Sequence, residues 1–364
     1  MIVEKQRITI PELRLLCGAT LNNVPAGYET YGRLNAARDN AILVCHYFSG
    51  TSHAAGRYRA DDAKPGYWDE IIGPGKAVDT DRFFVISVDS LCNLNAFDPN
   101  VATFGPASLD PAGKPFGLRF PAVAIADFVR LQKAVLDALG IERLHAVMGP
   151  SMGGLQTFEW AASFPEKVGR IIPVIVAPNF GAWLTGWLSM WAQPIRLDPA
   201  WRGGDYYATG APKAGLEAAL KLITLHALDA EWADTIGRGL LDGADPADLG
   251  GAPFAIELAL AEAARERAAL VDANHLLYLV RANQTYIPGA GAGARDADEG
   301  LGRITAPALM IYAPLDQVFR TEWVAAAARK IGAETFALHG PYGHYNGIQK
   351  IADAAERIKA FLDS

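Results

Sequence analysis

Cysteine is scarce in this chain. It occurs three times, at Cys17, Cys45 and Cys92, far apart and with no C-x-x-C pair. That argues against a disulfide framework and against a cysteine zinc site. Long apolar runs are missing too. No window reaches the roughly 18 consecutive apolar residues that a membrane helix needs. The richest segment, RIIPVIVAPNFGAWLTGWLSMWAQPI, is interrupted by Pro173, Pro178 and Gly181. Positive charge is neither abundant nor clustered: 33 Lys and Arg face 40 Asp and Glu, a net charge of -7. Without a basic stripe, neither nucleic acid nor an anionic membrane is expected as a partner. The opening residues, MIVEKQRITIPEL, carry no apolar core or small-residue cleavage site of a signal peptide. The expectation is a cytoplasmic protein that works on small molecules, with no bound cofactor or metal. GAGAGA and IGPGKA lack the spacing of a phosphate-binding loop and read as turns.

Apolar material is plentiful, at 51% of 364 residues. Its pattern alternates between strands and helices. KQRITI and GYETYGRL bracket an early antiparallel pair. NAILVCHYF, DRFFVISVDSL, RLHAVMG, GRIIPVIVAP, APALMIYAPLD and ETFALHG are short apolar runs. Strands buried on both faces have this continuous character. PAVAIADFVRLQKAVLDALG has helical spacing and stops at Gly140. LQTFEWAASF and IADAAERIKAFLDS are further helices. Such alternation predicts a mostly parallel sheet flanked by helices. From 179 to 300 strand signals vanish. PKAGLEAALKLITLHALDAEWADTIG and PFAIELALAEAARERAALVDANHLLYLVRAN read as helices, and YIPGAGAGARDADEGLG reads as a flexible return. The expected organisation is a core of 1–178 and 301–364 with an inserted helical lid over 179–300.

At the seam between RLHAVMG and LQTFEWAASF lies Gly149-Pro150-Ser151-Met152-Gly153, a G-x-S-x-G pattern. A strand turning abruptly into a helix forces the middle residue into a strained conformation and projects its side chain from the sheet. Small residues two before and two after relieve the crowding. The hydroxyl then sits at a helix N-terminus, which favours developing negative charge.

A serine nucleophile needs a base, and the base needs an orienting acid. On this kind of sheet the chain order is serine, acid, histidine. His226, His275, His339 and His344 follow Ser151. The first two fall in the helical insertion and read as packed or partly exposed. His344, in a Gly/Pro/Tyr loop after the last strand, is favoured over His339, which caps that strand. Asp316 ends the strand APALMIYAPLD and is the favoured acid. Asp296 and Asp298 belong to the polar return and are expected to be solvated. Oxyanion donors are expected from the backbone N–H of Met152 and from Phe48 or Ser49 in VCHYFSGTSH. His46 and His53 lack a third ligand for a metal.

Taken together, SGTSHAAG, GYWDEIIGPGKAVDTDRFFVISVDSL, MGPSMGGLQTFEWAASFPEKV, IRLDPAWRGGDYY, APLDQVF and GPYGHY resemble the homoserine O-acetyltransferase family of the α/β-hydrolase fold. The resemblance implies a ping-pong reaction. Ser151 would take the acyl group from acetyl-CoA, and His344 would then activate an acceptor alcohol. It also implies a helical lid over a deep tunnel, and a homodimer formed through that lid. The stripe of Trp183, Trp187 and Trp191 would line the tunnel, pair two subunits or pack the core. Three positions depart from the family. Its acid after the catalytic His is Tyr345 here. Its lid arginine, which holds the acceptor carboxylate, aligns with Leu220, next to Lys221. Its LTG loop is FSG. The expected reaction is therefore O-acylation of a small alcohol that need not be homoserine; the alternative is hydrolysis by the same triad.

Overall fold

The computed structural model describes residues 1–251 and 254–364. Its central sheet has eight strands among the described residues. They are β1 (Gln6–Arg14), β2 (Thr20–Tyr31), β3 (Ala41–Val44), β4 (Phe84–Val88), β5 (Ala146–Pro150), β6 (Ile171–Val174), β7 (Leu309–Tyr312) and β8 (Glu334–Ala337). The spatial order is β1-β2-β4-β3-β5-β6-β7-β8. The β1–β2 and β2–β4 pairs are antiparallel and the remaining pairs are parallel. Every residue of β3, β5 and β6 is buried. Their lack of alternation follows from having cover on both faces.

That cover forms two apolar layers. Phe128, Leu131 and Val135 of α1 (Ile125–Ala138) and Leu155 and Phe158 of α2 (Met152–Ser163) line one face. Trp68, Ile71 and Ile72, with residues near the C-terminus, line the other. Gly140 follows α1 at a positive φ of 71°, as the helix-end reading expects. IGPGKA forms a turn between the short paired segments Ile72–Gly73 and Val78–Asp79.

Between β6 and β7 lie α3 (Ala182–Leu197), α4 (Lys213–Ala227), α5 (Ala230–Ile236), α6 (Ala255–Ala268), α7 (Ala273–Gln284) and α8 (Ala297–Leu301). Leu184, Leu188, Trp191 and Ile195 of α3 are buried at helical spacing and form one apolar face. Two long helical readings are corrected here. Asp229 and Asp272 accept the N–H groups of Glu231 and His275 and start new helices inside stretches whose apolar spacing runs on.

The return segment is also not a free linker. The buried carboxylate of Glu159 on α2 accepts N–H from Gly289 at 2.7 Å and from Gly291 at 2.9 Å. Asp296 is exposed, as expected, and also caps α8 through the N–H of Glu299. The chain closes with α9 (Thr321–Ile331), α10 (Asn346–Gln349) and α11 (Ala355–Asp363). No described helix is long and apolar enough to cross a membrane.

Candidate active site

Ser151 sits between β5 and α2 with φ 56° and ψ -120°. Such a backbone costs on the order of 1–3 kcal/mol and persists only where the surroundings enforce it. They do so here by close approach. A Cβ on Gly153 would lie 2.1 Å from the Cys45 carbonyl oxygen, and one on Gly149 would lie 2.5 Å from the same atom. This is the crowding that the G-x-S-x-G spacing predicts.

His344 lies in a one-turn helix, Gly343–Tyr345, beyond β8. Asp316 lies in the loop beyond β7. The Ser151 hydroxyl lies 2.8 Å from His344 Nε2, and His344 Nδ1 lies 2.7 Å from Asp316 Oδ2. Asp316 Oδ1 accepts the N–H groups of Val318 and Phe319 at 2.7 and 2.9 Å. Its carboxylate is thus fixed before it meets the imidazole. Nδ1 carries the proton toward Asp316, leaving Nε2 to accept from Ser151. His339 is exposed.

The loop after β3 is held by a separate set of bonds. His46 Nε2 accepts the Ser90 N–H at 3.0 Å, and Nδ1 faces the Tyr47 carbonyl at 2.9 Å. Burial holds the His46 pKa below the usual imidazole value. Asn93 and Asn95 donate to the Gly50 and Ser49 carbonyls at 3.0 and 3.1 Å. His53 lies 2.9 Å from Glu29, beside the buried Lys5–Glu29 and Lys5–Asp89 pairs. The two histidines are therefore engaged in separate networks.

A small cavity of about 20 Å3 opens on Ser151. That is room for about one water molecule. Phe48, Phe180, Leu184, Leu188, Trp191, Val318 and Phe319 line it, and Asn283 is the polar member besides Ser151. Phe48 thus lies beside Ser151. Ser49 lines a different cavity, with Tyr47 and Tyr345. Leu220 is fully buried, and Lys221 is half-buried. Neither they nor Tyr345 line the Ser151 cavity. Sequence reasoning missed Phe180, Leu184, Leu188, Asn283, Val318 and Phe319. Val318 and Phe319, two and three residues after Asp316, carried the readiest signal, since an acid's loop must pass close to the nucleophile.

An alpha/beta hydrolase fold family model matches residues 40–350. The chain is 40% identical to homoserine O-acetyltransferase of Symbiobacterium thermophilum, over 98% of this chain and 94% of that one. It belongs to the homoserine O-acetyltransferase family of α/β hydrolases.

Two solved structures extend this. Homoserine O-acetyltransferase from Bacillus anthracis superposes with a TM-score of 0.93 at 34% identity, covering 100% of this chain and 98% of that one. Esterase E22 superposes at 0.95 with 45% identity, covering 99% and 100%. The family's fold and acyltransferase chemistry thus come with a similarly close relative named for ester cleavage.

Proposed function

We propose that the chain is a serine acyl-transfer enzyme whose acceptor is water or a small uncharged alcohol. The observation that carries this reading is the lining of the Ser151 cavity: seven apolar side chains, one asparagine amide and no charged group. An amino-acid acceptor would bring an ammonium and a carboxylate into this space, and burying unpaired charge is costly.

In this reading Ser151 Oγ attacks the acyl carbonyl carbon while its proton passes to His344 Nε2. The backbone N–H of Met152 and that of Phe48 or Ser49 hold the oxyanion. The tetrahedral adduct collapses, and the departing thiol or alcohol takes the proton from His344. Asp316 steadies the imidazolium between the two transfers. The acceptor then gives its own proton to His344 and attacks the acyl carbon, and as the acyl–Oγ bond breaks His344 returns that proton to Ser151 Oγ. Residues 179–300 act as the lid that keeps the site dry. The donor is a short acyl ester or thioester, with acetyl-CoA as the first to test.

A homoserine acceptor is the second reading. It is supported by the 40% identity over nearly the whole chain. It would require a cation to enter the site, and Lys221 beside Leu220 is the candidate. We also infer that two copies pair through the inserted helices. This is supported by Trp183, Met190 and Leu197, which leave 49–70% of their surface exposed along α3. Light scattering at micromolar protein would show a dimer, and a monomer mass would contradict it.

The test of function measures release of acid or CoA from 4-nitrophenyl acetate and from acetyl-CoA, with and without L-homoserine. Ser151→Ala serves as the blank. Ser151-dependent turnover that ignores homoserine supports the proposal. Turnover that saturates with homoserine overturns the acceptor.

A further inference from the structure

Behind the Ser151 turn, three buried polar side chains join the two segments that carry the oxyanion donors in the acyl-transfer reading. Gln132 lies on α1, and Gln156 and Trp160 lie on α2. All three are 0–1% exposed. Gln156 Nε2 donates to two carbonyls at 3.2 Å, that of His46 and that of Met152. Its Oε1 accepts from Gln132 Nε2 at 2.6 Å. Gln132 Oε1 in turn accepts the Trp160 indole N–H at 2.8 Å. Met152 follows the nucleophile, and His46 lies at the start of the loop that runs through Phe48 and Ser49.

Chemistry fixes the direction of each amide. An indole N–H can only donate, so it must meet the oxygen of Gln132. That turns the Gln132 nitrogen toward Gln156, which must present its own oxygen. The Gln156 nitrogen is left facing the two carbonyls, and each of its two N–H groups has one acceptor. The segments lie close enough for one amide to span them: a Cβ on Gly153 would lie 3.1 Å from the His46 carbonyl oxygen. Each held carbonyl is one or two peptide units from an oxyanion donor, the Met152 N–H on one side and the Phe48 or Ser49 N–H on the other. Peptide units are planar and stiff, so holding these carbonyls limits the tilt of those N–H groups. The unit that carries the Phe48 N–H is held as well, since the Tyr47 carbonyl accepts the Gly50 N–H at 3.0 Å and faces His46 Nδ1 at 2.9 Å.

We propose that Gln156 is a positioning residue that sets the spacing between the two halves of the oxyanion hole, with Gln132 and Trp160 holding its amide in the working direction. The proposal rests on the acyl-transfer reading and adds how that reading's oxyanion donors are held. Gln156 acts through backbone alone and touches no substrate. Its loss should therefore weaken stabilisation of the tetrahedral state and leave binding of the ground state unchanged.

The probe is methylboronic acid, used as an inhibitor of 4-nitrophenyl acetate turnover. Ser151 Oγ bonds to its boron, the proton passes to His344, and the tetrahedral anion places a boron-bound oxygen where the oxyanion would sit. Gln156→Met is expected to lower kcat about 30-fold, a part of the roughly 10^2–10^3-fold that one oxyanion donor contributes, with KM within about twofold. Boronate binding should weaken by about the same factor as kcat/KM. The same two quantities should fall about tenfold in Gln132→Met and about threefold in Trp160→Phe, which removes one N–H and keeps an aromatic ring. A lower melting temperature with kcat and boronate binding within about twofold of the unaltered chain overturns the assignment, as does a loss confined to KM. If Gln156→Met does not fold, Trp160→Phe decides, and unchanged kcat and boronate binding there overturn it. Absence of Ser151-dependent turnover in the unaltered chain overturns the acyl-transfer reading itself, whereas turnover that Gln156→Met leaves intact overturns only the positioning role.

Discussion

Ser151 lies between a wall built on the sheet and a wall built by the inserted helices. On the sheet side Ser151, His344, Asp316 and the N–H groups of Val318 and Phe319 form one bonded series. The loop after β3 is tied down by His46, Asn93 and Asn95. On the helical side the lining is mostly apolar: Phe180, Leu184, Leu188 and Trp191, with Asn283 as the polar member. The bonded groups thus come from the sheet side, and the insertion supplies most of the remaining wall of the Ser151 cavity.

The sharpest way to break this division is at the sheet side. Ser151→Ala is expected to lower turnover of a short acetyl ester by about 10^3-fold or more with an unchanged circular dichroism spectrum. His344→Ala is expected to do the same, whereas His339→Ala should change the rate by less than about twofold. A larger loss at His339 would reverse the base assignment.

Next in size is Gly153→Ala. Its Cβ has the Cys45 carbonyl oxygen 2.1 Å away, so a loss of about 3 kcal/mol in urea unfolding is expected. An unchanged midpoint would mean that the elbow yields easily.

The helical side gives smaller effects. Millimolar L-homoserine should raise the rate of CoA release from acetyl-CoA by less than about twofold, because no charged group lines the Ser151 cavity. Saturable stimulation well above that would place a cation in the site.

The smallest effect is a pH dependence of stability. The folded pKa of His226 is about 4, below the ordinary 6.5, because burial and His344 oppose its charge. Asp316 and the Gln317 carbonyl face the ring and oppose the shift. The unfolded chain binds this proton first. Stability is therefore complete above about 6.5 and is lost as pH falls toward 4. Melting curves of the unaltered chain and His226→Phe should diverge over that window, with the unaltered chain falling faster. Parallel curves would mean that the ring is not buried as described.

The same contrast explains what was legible from residues alone. The strand positions follow from short apolar runs, and Ser151, Asp316 and His344 could be picked from strand ends and glycine spacing. Those signals are local. The insertion hid its breaks because Asp229 and Asp272 interrupt helices by capping, while the apolar spacing continues through them. The Gly-rich return looked flexible because its anchor, Glu159, lies about 130 residues earlier in the sequence. His226 read as packed or partly exposed, and the fold buries it against Trp187.

The central claim is that the acyl group passes through Ser151. The direct measurement is peptide mass spectrometry after rapid acid quench of the chain turning over a slow acetyl ester. The expected result is one acetyl group on the peptide containing Ser151, absent from Ser151→Ala. Turnover with no acetyl on that peptide, or with the acetyl on another residue, would contradict it.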